Sequence, residues 1–259
     1  MHIHRRFHKF GKACHAALLA LGLMTAPAGA AERITVVTEE FPPFNYLEHG
    51  VVRGYSVDVV TQLLEQAGLE HTLALYPWAR AYRMAQSQPN VLIFSIARTP
   101  EREALFHWIG ALSRHGVYLY KLAARSDIAL TGLDDVKRYR VAANRQGAAQ
   151  GDLEAIGLVV GRQIDLSDHD HANMRKLLAG RVDLQVGTEA SIRRIGDALG
   201  VPEGRIERTL LLSAPREYFV AASLATPPAT VALLRAQFRK LQASQFLVKA
   251  AARYRLPAE

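Results

Sequence analysis

The feature that most constrains this chain is an alternation. Short apolar runs rich in β-branched residues recur between stretches with helical spacing. "ITVVT" (34–38) and "VLIFS" (91–95) have the length and the two-sided apolarity of buried strands. Between them, "VDVVTQLLEQAG" (57–68) puts Val57, Val60, Leu63 and Leu64 on one helical face and stops at Gly68. "ARAYRMAQS" (79–87) reads as a second, shorter helix. The rhythm resumes with strands at 117–124, 139–143 and 182–186, and with helices at 171–180 and 190–200, each closed by a glycine. A late strand, "EYFVAAS" (217–223), precedes two final helices over 227–242 and 244–254. Strands alternating with helices predict an α/β fold, its sheets mainly parallel and covered on both faces.

Two places interrupt the rhythm, "GALSRHG" (110–116) and "SAPRE" (213–217). The roughly 100 residues between them make a normal domain size. The expected organisation is one lobe from residues 31–113 with 216–259, and a second lobe from 114–215 inserted in it. Two chain crossings would then act as a hinge. Ligands of open α/β sheets bind beyond the carboxyl ends of the strands. The loops after Thr38, Ser95, Ala143 and Val186 are therefore the places for a site.

The N-terminus constrains the compartment. "MHIHRRFHKFGK" is basic and free of acids, "ACHAALLALGLM" is apolar but short, and "APAGA" offers small residues. This is the pattern of a secretory signal peptide over residues 1–30, cleaved between Ala30 and Ala31. Its removal takes Arg5, Arg6, Lys9 and Lys12 and lowers the net charge from +8 to +4. It also takes Cys14, the only cysteine. The exported chain is then expected to lack disulfides, thiol nucleophiles and cysteine metal sites. A periplasmic location follows. A mild positive charge of this size gives no footprint for nucleic acid.

"FPPFNY", "GYSVDVVTQLLEQAG", "PWARAYRMAQ", "SIARTPEREALFHW" and "LAGRVDLQV" occur in the order and spacing of a known family. The chain resembles the family 3 periplasmic solute-binding proteins, the amino-acid-type receptors of ABC importers, over residues 33–255. The resemblance implies the two-lobed type II periplasmic binding protein fold. Each lobe would be a mainly parallel sheet flanked by helices, with a two-strand hinge between. It further implies a small solute in the cleft, a membrane permease as partner, a monomer, and no cofactor.

It also assigns residues. Arg102, in a T-x-x-R turn, corresponds to the arginine that grips a ligand carboxylate, for which a planar guanidinium is suited. Arg98 is either a second clamp or half of an ion pair near the hinge. Phe41 and Trp78 match the aromatic groups that sandwich the ligand, and Ser95 a position near its carboxylate. Gly147 matches a helix-start loop whose backbone N–H groups suit an anion. Three positions depart from the pattern. Ala97 and Ala148 stand where hydroxyls are usual. Thr188 stands where an acidic residue usually meets the ligand ammonium, with Glu189 beside it as a substitute.

"SDHDHAN" (167–173) offers His169, Asp170 and His171 as metal ligands, or a polar loop that caps a helix at the cleft edge; the second reading is preferred and no metal is expected. The function expected is capture of a small polar carboxylate-bearing solute without catalysis. The alternative is an enzyme on the same fold resembling cyclohexadienyl dehydratases, with Glu39, Glu40 or Glu189 as acid or base. A cleft carboxylate with perturbed ionisation would favour it.

Overall fold

The structure, a computed structural model, describes residues 33–256. The export signal expected over residues 1–30 lies outside them. Strand β1 (Ile34–Thr38) leads to a hairpin of β2 (Tyr46–Glu48) and β3 (Val51–Arg53), then helix α1 (Tyr55–Ala67). Strand β4 (His71–Leu75), helix α2 (Trp78–Ser87) and strand β5 (Val91–Ala97) follow. After a 3₁₀ turn (Pro100–Leu105) comes β6 (Phe106–Leu122). Then come β7 (Val141–Asn144), α3 (Ala148–Ala155), β8 (Ile164–Ser167), α4 (Asp170–Leu178), β9 (Leu184–Gly187) and α5 (Glu189–Ala198). The described chain closes with β10 (Ile206–Ser223), α6 (Pro228–Ala243) and α7 (Phe246–Arg253).

Eight strands form one sheet in the order β4-β1-β5-β10-β6-β9-β7-β8. At one end β1 pairs in parallel with β4 and β5, and at the other β7 pairs in parallel with β8 and β9. The middle is antiparallel: β10 pairs with β5 and β6, and β6 with β9. Of the parallel strands, β1, β5, β7 and β9 were read from their apolar runs and β4 and β8 were not; parts of the antiparallel β6 and β10 were read as well.

The segments read as interruptions are not loops. Residues 110–116 lie inside β6 and residues 213–217 inside β10, which pair from Phe106 with Ser223 to Leu122 with Ile206. The register shifts between Ser213 and Arg216, so Ala214 and Pro215 oppose no regular partner. A bulge is where a strand tolerates proline. Small and polar residues therefore sit in strands bent at their middle, not in connections.

Buried residues gather into separate cores at the two ends of these long strands. Val59, Val60, Leu63 and Leu64 of α1 pack with Phe94 of β5 and with Leu234 and Phe238 of α6. Trp78, Ile93, Phe106 and Trp108 form a second group. Beyond the bend, Leu119, Val141, Leu153, Leu184 and Leu212 make another. Gly110 is required where β6 meets α6, since a Cβ there would lie 2.0 Å from the Phe238 ring. Gly54, with φ at +132°, lets α1 begin against the carbonyl of Phe44 and so fixes the loop over residues 41–45. Among the described residues, no helix is long and apolar enough to cross a membrane.

Candidate functional site

The loops after Thr38, Ser95, Ala143 and Val186 converge. With Trp78, Asp170, Val117 and Tyr218 they line one cavity of about 80 Å³. A larger hollow, about 1010 Å³, is lined by Arg193, Arg194 and α7 and includes Thr188 and Glu189. It contains neither the expected arginine nor the aromatic pair, so the smaller cavity is the candidate site.

The floor is built by a hydrogen-bonded chain at the end of β1. Thr38 Oγ1 donates to the Phe94 carbonyl (3.0 Å), and Asn45 Nδ2 donates to Thr38 Oγ1 (3.0 Å) and to the Glu39 carbonyl (2.6 Å). Ser95 Oγ lies 2.6 Å from Asn45 Oδ1 and 3.1 Å from Ser56 Oγ. Ser95 holds a left-handed φ of +55°, uncommon for a residue with a side chain and frequent at functional sites. Its hydroxyl serves this chain, which fixes the backbone carrying Glu39 and Phe41. Phe41 stacks on Phe44 (5.0 Å), and His115 is sandwiched between Phe44 (4.9 Å) and Tyr218 (3.9 Å). Both ring nitrogens of His115 are buried without a partner, and burial pushes it down to about 3, so it stays neutral.

Arg102 is only 7% exposed. It reaches the cavity from the 3₁₀ turn directly after β5. Its Nη1 donates to the Ala97 carbonyl (3.2 Å) and its Nη2 to the Gln146 carbonyl (2.9 Å). The guanidinium lies 5.4 Å from the Trp78 ring centre and 5.0 Å from that of Tyr82. Trp78 Nε1 donates to the same Gln146 carbonyl at 2.7 Å. One backbone oxygen from the loop before α3 thus bridges two residues of the opposite wall. Gln146 presents it from a left-handed φ of +58°.

The opposite side of the cavity is acidic. Glu39 accepts from Asn144 Nδ2 (3.2 Å). Burial, then the nearby Asp170, push its carboxyl up to about 8, against the pull of Arg102 and Asn144. Asp170 opens α4; burial pushes it up to about 6, against hydrogen bonds from Asn173 and Asn144. Both carboxyls are therefore held above their ordinary range, chiefly by burial.

Six of the eight residues singled out from sequence line the cavity: Phe41, Trp78, Ser95, Arg102, Gly147 and Thr188. Gly147 is the N-cap of α3, as expected for a helix-start loop. Thr188 is the N-cap of α5, its hydroxyl accepting from Ser191 N at 3.2 Å. The other two lie elsewhere. Arg98 pairs with Glu103 (2.7 Å) over the Trp108 and Phe219 rings. Glu189 pairs with Arg208 at 2.9 Å, is exposed, and lies outside this cavity. His169 is the N-cap of α4, accepting from Ala172 N, which is the capping role read from "SDHDHAN". Sequence reasoning missed Asn144 and Tyr218, and weighed Asp170 only as a metal ligand. Asp170 was findable as an acid in the first turn of a helix that starts at the carboxyl end of a strand.

The profile of the bacterial extracellular solute-binding proteins, family 3, matches residues 34–188, more than half of the chain. The chain belongs to this family. No curated protein sequence matches it. Among solved structures, this family member is similar to a histidine kinase sensor domain with similarity to periplasmic binding proteins. That match has a TM-score of 0.76 at 17% identity, covering 86% of this chain and 96% of the other. It is equally similar to the arginine-, lysine-, histidine-binding protein ArtJ from Geobacillus stearothermophilus (TM-score 0.76, 17% identity, 86% and 95% covered). An ancestral arginine-binding protein bound to arginine has a TM-score of 0.75 at 15% identity, with 86% and 97% covered. At these identities the likeness shows the fold, that of the periplasmic binding proteins.

Proposed function

We propose that this family 3 protein is exported, captures a small polar carboxylate-bearing solute such as an amino acid, and presents it to the permease of an ABC importer. The solute lies between two lobes, residues 31–113 with 216–259 and residues 114–215, and closure is driven by contacts from both. The protein acts as a monomer, without cofactor or catalysis, in the periplasm.

The observation that carries this reading is Arg102. A buried guanidinium faces a cavity, flanked by an indole, with its N–H groups resting on backbone carbonyls rather than on a carboxylate of its own. A solute carboxylate is the stronger acceptor, since ionised pairs form shorter and stronger hydrogen bonds. Membership of a solute-binding family supports the same reading, as do neighbours that bind arginine, lysine or histidine.

The test is a thermal-shift panel of amino acids, their hydroxy-acid analogues, polyamines and dicarboxylates. A ligand at a hundred times its Kd stabilises by about 2.7 kcal/mol, a shift of several degrees. A panel in which no carboxylate shifts the wild type, or in which Arg102→Ala responds like the wild type, would sink the reading.

One observation favours a second reading. A carboxyl held protonated near neutral pH, in a cavity that also holds an arginine, is what a general acid requires. Glu39 meets that description. A dehydratase acting on a small carboxylate would convert a panel member on prolonged incubation, with NMR as readout, and Glu39→Gln would abolish conversion while retaining binding.

A further inference from the structure

We infer that the phenol of Tyr218, on strand β10, donates a hydrogen bond to the carboxylate of the captured solute and, beside Arg102, sets the affinity for it. The inference rests on the solute-binding reading and adds a contact residue to that site.

Tyr218 is 8% exposed and lines the cavity. Each of the other polar side chains that line it has a hydrogen-bond partner. Trp78 and Arg102 donate to carbonyls, Ser95 is engaged with Asn45, and Thr188 caps α5. Glu39 and Asp170 meet the amides of Asn144 and Asn173. The Tyr218 hydroxyl has no partner among the described residues. A buried hydroxyl left in that state is unfavourable until something reaches it.

The sheet sets the place of this hydroxyl. Tyr218 stands directly opposite Ala97 of β5, and residues opposite each other across two strands project from the same face. Ala97 brings no polar side chain and leaves room for a ring. Its carbonyl accepts from Arg102 Nη1 at 3.2 Å, so a group held by that guanidinium comes close to the phenol. The ring is held in position: it stacks on His115 at 3.9 Å, with Phe41 at 6.0 Å.

The charges that bear on the hydroxyl are those of Arg216, Asp152, Glu39 and Arg102. None of them accepts from it. Arg216 and Asp152 satisfy each other at 2.7 Å, Glu39 accepts from Asn144, and a guanidinium can only donate. A solute carboxylate at Arg102 supplies the acceptor that is missing. Burial pushes the ionisation of the phenol up, so it keeps its proton and stays a donor. A hydrogen bond from a hydroxyl to an ionised oxygen is shorter and stronger than a neutral one.

Titration calorimetry on the full chain tests this with L-alanine, L-arginine, L-lactate and pentanoate. Tyr218→Phe keeps the ring and its stack and deletes one oxygen. Its ligand-free Tm should stay within about 2 °C of wild type. Its Kd for each probe that wild type binds should rise about fivefold or more, in keeping with loss of a hydrogen bond to a charged group. In a crystal structure of wild type with the tightest of these probes, the phenol should lie within hydrogen-bond distance of a carboxylate oxygen. A smaller rise in Kd, or a complex in which the phenol meets no carboxylate oxygen, overturns the role of Tyr218 and leaves solute binding standing. If none of these probes binds wild type, the solute-binding reading fails and this inference with it. Should Tyr218→Phe fail to fold, the wild-type complex decides alone.

Discussion

The two ends of the cavity differ in how their polar groups are satisfied. At the Arg102 end, donors have found oxygens: Arg102 and Trp78 share the Gln146 carbonyl across the cleft. At the Glu39–Asp170 end two buried carboxyls share the amides of Asn144 and Asn173, and burial holds both above their ordinary values. The first end therefore ties the two walls together through one carbonyl, whereas the second keeps two acids buried side by side. A binding protein needs a closed state within reach, and contacts of the first kind supply it.

The largest expected effect breaks the first end. Arg102→Ala should weaken carboxylate binding about 100-fold, near 2.7 kcal/mol, consistent with loss of a doubly hydrogen-bonded charge; titration calorimetry would read it. Next is the pH dependence of the second end. The folded value for Glu39 is about 8 against 4.5 unperturbed, so the fold holds its proton more tightly than the unfolded chain does. That contribution is full below about 4.5 and is lost as pH rises through about 8. Between pH 6.5 and 8.5 the ligand-free protein should lose about 2 kcal/mol, roughly 4–8 °C in Tm, and Glu39→Gln should flatten that slope.

His115, in the aromatic stack beside the cleft, runs the other way. Its folded value of about 3 lies below the ordinary 6.5, so its contribution is present above 6.5 and lost as pH falls. His115→Phe keeps the stack and removes the titration. Its stability advantage over wild type should grow by about 1–2 kcal/mol from pH 6.5 to 4.5 in denaturant melts. Trp78→Phe keeps the ring near Arg102 but deletes the bond to Gln146; solute affinity should fall about fivefold, near 1 kcal/mol. The smallest effect is expected from Thr188→Asp. Aspartate caps a helix as well as threonine does, so the variant should fold. Affinity for L-arginine, read by calorimetry, should change by less than about threefold; a tenfold gain would mean that an acid at the start of α5 reaches the solute's ammonium.

Much of this was legible before any coordinates. Buried parallel strands are apolar on both faces, so residues 34–38 and 91–95 announced β1 and β5; Phe41, Ser95 and Arg102 came from the family resemblance of the motifs around them. The long antiparallel strands were not legible along their whole length. Gly110, Gly116 and Pro215 read as breaks, because a bulge and a close helix contact depend on what lies opposite, not on neighbours in sequence. The acidic end was hidden for the same reason. Glu39 and Asp170 stand 131 positions apart in the chain, and each alone is an ordinary acid at the end of a strand or the start of a helix.

Local order by itself determined the α/β pattern and the arginine turn, since helical spacing, strand apolarity and turn chemistry act over a few residues. Tertiary structure alone decided which carboxyls are buried together, which arginine faces the cavity and which acid turns outward. Those outcomes depend on burial and on charges brought close by the fold, and neither is written in any one stretch of the chain.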